Sequence, residues 1–384
     1  MRHGHYPESR KFNIAVITYP FHDEVGKATL ANLIEVLEPL SREIFIITGD
    51  FPRAPNKNIH IARLKTDVHK GPLAIRIAKF VLAELRASLF LIRICRRVEI
   101  VIFHIGTGPY LLSTMTARLL GKKVVVGCTG RFSKYARQQY NRGIEITAKL
   151  IERIRFAIAD QIAVQSPTAV HLLGLDRYKQ KIAINGAMYI NTDLFKITKD
   201  SGKRENLIGY VGRLVEGKGI MEFLDAVPLI LKGRDDAEFP IGGGGPLYDE
   251  IVNKLQTNGL HNEVKLIGWI PHEELPDYLN DLKLLVLPSD SEGLPGIVQE
   301  AMACGAVVLA TPVGGIPDLI KDGETGFILE NNSPECIARG VINALKHTRL
   351  DEIAQSARQL IEREYAYDTM VDKYRQALDI LNNR

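Results

Sequence analysis

The 384-residue sequence has one tryptophan, four cysteines and no Asp-x-Asp. No stretch reaches the roughly 20 uninterrupted apolar residues that a spanning helix needs. Each absence excludes something. Cys95, Cys128, Cys304 and Cys336 form no close pair and have no histidine-rich neighbour at metal spacing. A disulfide scaffold is thereby excluded, and a reduced, cytoplasmic protein is the expectation. Without Asp-x-Asp, a two-carboxylate metal clamp is missing and no metal ligand is expected. The start, MRHGHYPESRKFNIAVITYP, has no apolar segment of signal-peptide form. The chain therefore reads as soluble, peripheral at most to the inner face of a membrane.

What is present is ordinary in amount and uneven in place. Hydrophobic residues make up 46% and charged residues 24%, values of a globular protein with a large core. The length suggests two or three domains. A net charge of +4 is too mild to imply a nucleic-acid partner. Yet the window Lys70 to Arg155 holds seventeen Lys or Arg against four acids, so it carries +13 and the rest of the chain −9. Such asymmetry points to an anionic surface or acceptor on the N-terminal half.

Short apolar runs alternate with helical patterns throughout. In the first half the strands are Phe12–Thr18, Ile44–Thr48, Glu99–His104, Lys123–Gly127, Gln161–Gln165 and Lys181–Asn185. The loop Tyr19 to Lys27, with His22 and Gly26, leads into a helix from Ala28. Ala74–Arg97 reads as a helix with arginines set among apolar residues, and Gly106 to Pro109 as a loop. A polar stretch, 187–205, reads as a linker. A second alternating series starts at Leu207, and two helical patterns end the chain. The pattern predicts an α/β protein with two Rossmann-like domains of parallel sheet and a cleft between them. The expected domains are 1–186, 206–365 and a C-terminal helix, 366–384.

Three glycine-bearing loops follow strands of the second series. Gly212-Arg213-Leu214-Val215-Glu216-Gly217-Lys218-Gly219 suits a diphosphate, because glycines let the backbone approach and Arg and Lys neutralise charge. A turn with solvated charges is the competing reading, and the spacing is neither a P-loop nor G-x-G-x-x-G. Gly242-Gly243-Gly244-Gly245 implies a close backbone approach or a flexible turn. Gly314-Gly315 is the third. Between them, Leu284–Leu287 reads as a strand and Ile297–Ala303 as a helix, with Glu292 in the loop and Glu300 on the helix. A carboxylate there can accept both hydroxyls of a ribose. Arg213 and Lys218 with helix N-terminal amides are then the charge partners of a leaving phosphate. A lone histidine at a strand end, such as His104, is more often structural. Trp269 is expected in core or loop packing.

The segments VGRLVEGKG, IGGGGPL, VKLIGWIP, LVLPSDSEGLPGIVQEAMACGAVVLATPVGGIPDLIKDGETGF and INGAMYINTDLF resemble family-4 glycosyltransferases of GT-B fold. The resemblance covers nearly all of the second series and the first only in outline. It implies two facing Rossmann-like domains, the C-terminal helix crossing back onto the N-terminal one. It implies sugar transfer from a nucleotide-sugar donor, a UDP- or GDP-sugar, with retention of configuration and without metal or other cofactor. Arg213 and Lys218 would grip the diphosphate, and Glu300 the ribose. Glu292 with Gly293 and Leu294 would contact the sugar, and Gly296 would lie near the phosphates. Gly26, Gly212, Gly243, Gly244 and Pro295 complete the donor-binding candidates; the catalytic candidates are Arg213, Lys218, Glu292 and His104.

Two departures stand out. The first loop has Gly26 followed by Lys27 where the family has a Gly-Gly pair. Thr129, in Cys128-Thr129-Gly130, occupies a place where many members carry a histidine, and His104 is the substitute. Thr129 motivates a rival reading, a nucleotide-sugar-binding protein that has lost catalysis; an epimerase of the same fold is disfavoured by the second-half motifs. The basic window suggests a lipid-linked or phosphate-bearing acceptor at an anionic membrane surface, against the plainer reading of a solvated basic face.

Overall fold

The computed structural model describes residues 10–18, 24–49, 51, 56–64, 71–104, 110–140, 142–200 and 203–383. The loops expected around His22 and from Gly106 to Pro109 lie outside them. The chain divides into two units, one running to Met188 and resuming at Met370, the other Tyr189–Thr369.

The first unit is built on seven strands: β1 (Phe12–Thr18), β2 (Ser41–Thr48), β3 (Ile59–Arg63), β4 (Ile100–His104), β5 (Lys123–Cys128), β6 (Gln161–Val164) and β7 (Ile182–Ile184). All pair in parallel, in the order β3-β2-β1-β4-β5-β6-β7. Its helices are α1 (Glu24–Leu37), α2 (Leu73–Ile94), α3 (Leu111–Leu119), α4 (Phe132–Gln139), α5 (Arg142–Ile158) and α6 (Pro167–Leu172). Ile14, Ala15, Val16 and Ile17 are all fully buried. That is why β1 is a continuous apolar run rather than an alternating one: helices cover both faces of a parallel sheet.

Two buried carboxylates hold the helical layer together. Glu84 of α2 accepts from the Ser113 amide at 3.1 Å and hydroxyl at 2.8 Å, satisfying an orphan donor in the first turn of α3. Glu152 of α5 does the same for α4, through the Ser133 amide at 3.0 Å and hydroxyl at 2.9 Å, and also pairs with Arg131 at 2.8 Å.

The second unit has six parallel strands: β8 (Ile208–Val211), β9 (Phe239–Gly242), β10 (Val264–Gly268), β11 (Leu284–Leu287), β12 (Val307–Ala310) and β13 (Phe327–Ile328). Their order is β10-β9-β8-β11-β12-β13. The helices are α7 (Ile220–Leu231), α8 (Tyr248–Asn258), α9 (Leu275–Asp281), α10 (Gly296–Ala303), α11 (Ile316–Leu319), α12 (Pro334–Leu345) and α13 (Leu350–Tyr365). The two-sheet α/β expectation holds, and the short strands β3 and β13 are additions to it.

One stretch differs in detail from its sequence reading. Of the expected linker 187–205, the described residues from Tyr189 on fall in the second unit, anchored there by a few buried side chains. Phe195 is buried, and the buried Arg204 guanidinium donates to the carbonyls of Leu282 at 2.8 Å and Cys304 at 2.7 Å. A mostly exposed polar stretch can be anchored when one buried cation satisfies several carbonyls. At the other end, α14 (Tyr367–Asn383) runs into the first unit, where Gln161 donates to the Ala377 carbonyl at 3.1 Å.

Candidate functional site

In the second sheet, strand order reverses between β8 and β11. Connections leave these neighbours in opposite directions, opening the crevice where α/β sheets bind ligands. The loop after β8 is Gly212–Gly219 and the loop after β11 is Pro288–Pro295. Lys218 from the first and Glu292 from the second meet there, Nζ to Oε1 at 2.7 Å, with side chains 22% and 8% exposed. The Asp290 amide donates to the Gly217 carbonyl at 2.9 Å, tying the two loops by backbone as well.

Glycine makes this stitching possible. Gly219 has φ +73°, and a Cβ there would lie 2.1 Å from the Pro288 carbonyl oxygen. Gly243 would place a Cβ 1.9 Å from the Gly212 oxygen, and Gly245 one 2.3 Å from the Leu214 oxygen. The close approach expected of the four-glycine loop is thus to the neighbouring loop, as the Leu214 amide bonding to the Gly244 carbonyl at 3.0 Å also shows. Gly314 (φ +60°) faces the Glu292 oxygen at 2.3 Å in the same sense, and the Gly315 amide donates to the Gly293 carbonyl at 2.6 Å. Gly244 and Gly296 are different: a Cβ at either would meet nothing within 4 Å.

Pro295 caps α10 and Gly296 is its first residue. The amides of this turn therefore open toward the same crevice, a site suited to an anion. One turn on, Glu300 is 15% exposed, and its Oε1 lies 3.2 Å from His272 Nε2. That hydrogen bond raises the His272 pKa, against a smaller opposing effect of burial. His272 also packs edge-on against Phe195, centroids 5.2 Å apart. Sequence reasoning missed His272, because only folding brings the turn after β10 to α10. It also missed Ser289, whose fully buried hydroxyl has no partner among the described residues. Arg213 is exposed and forms no ion pair with a described residue. Leu294 is buried and Gly293 exposed. Trp269, expected in packing, is 72% exposed instead; it follows Gly268, which turns the chain at φ +77° off the edge strand β10.

The remaining candidates lie in the first unit, at its own strand-order reversal between β1 and β4. Gly26 is inside α1, which begins at Glu24 rather than Ala28, and its carbonyl accepts from the Thr29 hydroxyl at 2.9 Å. His104 ends β4, with Nε2 buried and unpartnered among the described residues. Burial pushes its pKa down to about 4, so the ring is neutral at neutral pH. Cys128, ending β5, is pushed up to about 11 by burial and is an inert thiol. Among the described residues no cluster of three His, Cys, Asp or Glu could hold a metal ion.

This arrangement of reversal point, cation–carboxylate pair and helix N-terminus coincides with a family profile: residues 192–365 match that of glycosyl transferases group 1. Residues 192–365 belong to that family. Over 288 residues the chain is 27% identical to the alpha-D-kanosaminyltransferase of Streptomyces kanamyceticus, covering 69% of this chain and 71% of that protein. It is 30% identical over 179 residues to the amylovoran biosynthesis glycosyltransferase AmsK of Erwinia amylovora, covering 44% and 43%. The chain thus spans less than half the length of AmsK, as it does of the uncharacterized glycosyltransferase MJ1178 of Methanocaldococcus jannaschii, at 48%. Among solved structures, sucrose-phosphate synthase from Thermosynechococcus elongatus superposes with a TM-score of 0.75 at 19% identity, covering 97% of this chain and all of that one. Anabaena HepE in complex with UDP gives 0.73 at 14%, covering 95% and 99%. At these identities the likeness is one of fold, and the fold of the group 1 domain and its partner unit is that of GT-B glycosyltransferases.

Proposed function

We propose that the protein is a retaining, metal-independent glycosyltransferase that moves a sugar from a nucleoside diphosphate sugar to a lipid-linked or phosphate-bearing acceptor. The Lys218–Glu292 pair at the strand-order reversal carries this reading. A diphosphate entering the crevice competes with Glu292 for Lys218, and the exposed Arg213 adds a second cation. As the donor bond breaks, negative charge grows on the departing nucleoside diphosphate, where these cations and the first amides of α10 stabilise it without a metal ion. Glu300 accepts the ribose hydroxyls, exchanging His272 for them. Glu292, released from Lys218, is left to contact the transferred sugar. Retention follows from the family resemblance, and His104 is the candidate group of the first unit. HepE, solved with UDP and with UDP-glucose, supports a UDP-sugar; a GDP-sugar is the other donor considered. On the acceptor side, the basic N-terminal region faces an anionic membrane on its cytoplasmic side.

The experiment is a panel of UDP-, GDP- and ADP-sugars, read first by thermal shift, since a bound nucleotide raises apparent stability, and then by transfer or slow hydrolysis. One donor should stabilise the protein and turn over. Tight binding with no turnover across varied acceptors would favour a protein that binds nucleotide sugars without catalysis, the reading Thr129 motivates. No shift with any donor would remove the assignment.

A further inference from the structure

Helix α2 is apolar on the side that faces solvent. Its inward residues are Ala83, Glu84, Ala87, Ser88, Leu91 and Ile94, all buried. Its outward stripe is Ile77, Val81, Leu85, Leu89 and Ile92, each between 46% and 57% exposed. Spacings of four, four, four and three put these on one face, turned away from the face the fold buries. The neighbouring helices continue the pattern. α3 lies beside α2 and α5 beside α3; α3 exposes Leu112, Met115 and Leu119, the last at 85%, and α5 exposes Ile146 and Leu150. Thirteen of the twenty large hydrophobics exposed among the described residues sit on these three helices. A monomer rarely leaves a contiguous apolar face of this kind uncovered.

The charges around this face are mainly cationic. Arg93 and Arg96 stand exposed at the end of α2, and Arg142 and Arg153 on α5. A groove of about 510 Å³ between α4 and α5 is lined by Arg137, Arg142, Glu145, Ile146 and Lys149. Arg76 connects the start of α2 to this region, donating to the Tyr140 hydroxyl at 2.9 Å. The acids of this stretch do not offset the cations. Glu84 and Glu152 are buried beneath the helices, Glu145 is paired with Lys149 at 2.5 Å, and Glu99 with Arg42 at 2.9 Å.

We propose that the α2–α3–α5 face inserts into the interface of an anionic lipid bilayer. At 1.5 Å per residue α2 is about 33 Å long. Lying in the membrane plane, it would set its outward stripe at the boundary between headgroups and acyl chains, with the flanking arginines at the phosphates. A second copy fits less well: an isologous contact would bring the same cations together. The inference deepens the acceptor-side reading above, and rests on it only for what the membrane would supply. Insertion differs from adsorption by charge alone, because burial of apolar side chains survives salt that screens arginine–phosphate attraction.

The test is co-sedimentation of the full chain with phosphatidylcholine vesicles, with and without phosphatidylglycerol, at low and high salt. The chain should pellet with the anionic vesicles and keep a measurable bound fraction at high salt. Leu85→Ser with Leu89→Ser should cut partitioning by about tenfold and abolish the salt-resistant fraction. Arg93→Gln with Arg96→Gln should weaken only the low-salt binding. Both variants change exposed side chains, so melting temperature and the thermal shift with UDP should match the wild type. No pelleting at low salt would overturn the proposal, and so would leucine variants that bind as the wild type does. A dimer in sedimentation velocity, dissolved by the leucine substitutions, would overturn it in favour of a second copy. None of these readouts involves sugar transfer, so failure here and failure of the donor reading are separable.

Discussion

Lys218 and Glu292, seventy-four residues apart in sequence, form a 2.7 Å ion pair in which neither partner is more than 22% exposed. The pair joins the two loops that flank the strand-order reversal. In the free protein it neutralises a carboxylate that would otherwise be left nearly dry. On the proposed reading, a bound donor would make it the point of exchange between carboxylate and phosphate.

Lys218→Ala should therefore do two things. It leaves Glu292 without its cation, lowering stability, and it weakens nucleotide binding by about 2 kcal/mol or more if the contact is charged and buried. The double variant Lys218→Ala, Glu292→Gln should recover most of the melting temperature but none of the affinity, measured by calorimetry with the donor nucleotide. Recovery of both would reduce the pair to a structural role.

The Glu300–His272 contact predicts a pH dependence. The His272 pKa is raised by its hydrogen bond to Glu300. The stability this contributes is present in full below the unfolded value of about 6.5 and is lost as pH rises through the higher folded value. On the proposed reading, protonated His272 would also compete with ribose hydroxyls for the carboxylate. Nucleotide affinity should consequently rise as pH climbs through the raised His272 value, and His272→Ala should flatten that rise. Parallel pH profiles for the two proteins would contradict the exchange. Glu300→Ala should lose affinity at every pH.

The glycines separate into those whose added Cβ would strike a neighbouring loop and those with open space beside them. Gly314→Ala meets a positive φ and a carbonyl 2.3 Å away, and should lower stability by about 2 kcal/mol or more. Gly296→Ala meets nothing within 4 Å. It should leave the melting temperature of the free protein unchanged while weakening nucleotide binding, because the added methyl would stand at the proposed anion site. Gly244→Ala, equally open, is the comparison that tests whether Gly244 also faces the ligand. Chemical denaturation together with nucleotide titration reads all three.

His104, held down to about pKa 4 by burial, predicts acid sensitivity. Between about pH 6.5 and 4 the unfolded chain binds a proton there that the native chain does not, so stability falls as pH falls through that window. A shift of this size corresponds to about 3 kcal/mol. His104→Phe should flatten the slope of unfolding free energy against pH between those values; an unchanged slope would place the acid sensitivity elsewhere.

The two-sheet architecture was legible in the chain because its strands are buried on both faces. A run such as Leu284–Leu287 carries its signal in consecutive residues, and the structure returns those same limits. The candidates Arg213, Lys218, Glu292 and Glu300 were readable for a similar reason: each sits in or next to a loop whose glycines mark a strand's end. What those residues touch was not readable. Glu300 and His272 are twenty-eight residues apart, and no period or motif joins the turn after β10 to α10; the order of strands in the sheet does. The same holds for the four-glycine loop, where the sequence implied a close approach but only the neighbouring backbone of Gly212–Leu214 revealed to what. Trp269 was misread because a residue's type speaks to its average burial, whereas its place after an edge strand left it in solvent. For α2, sequence alone showed arginines among leucines and isoleucines. Which of those apolar residues face the sheet and which face outward depends on where α3 and the buried Glu84 hold the helix. By itself, then, the sequence determined the two sheets and the chemistry borne by their loops. Pairings across loops, and the apolar face left without a partner, were decided only when non-local packing fixed each element's orientation.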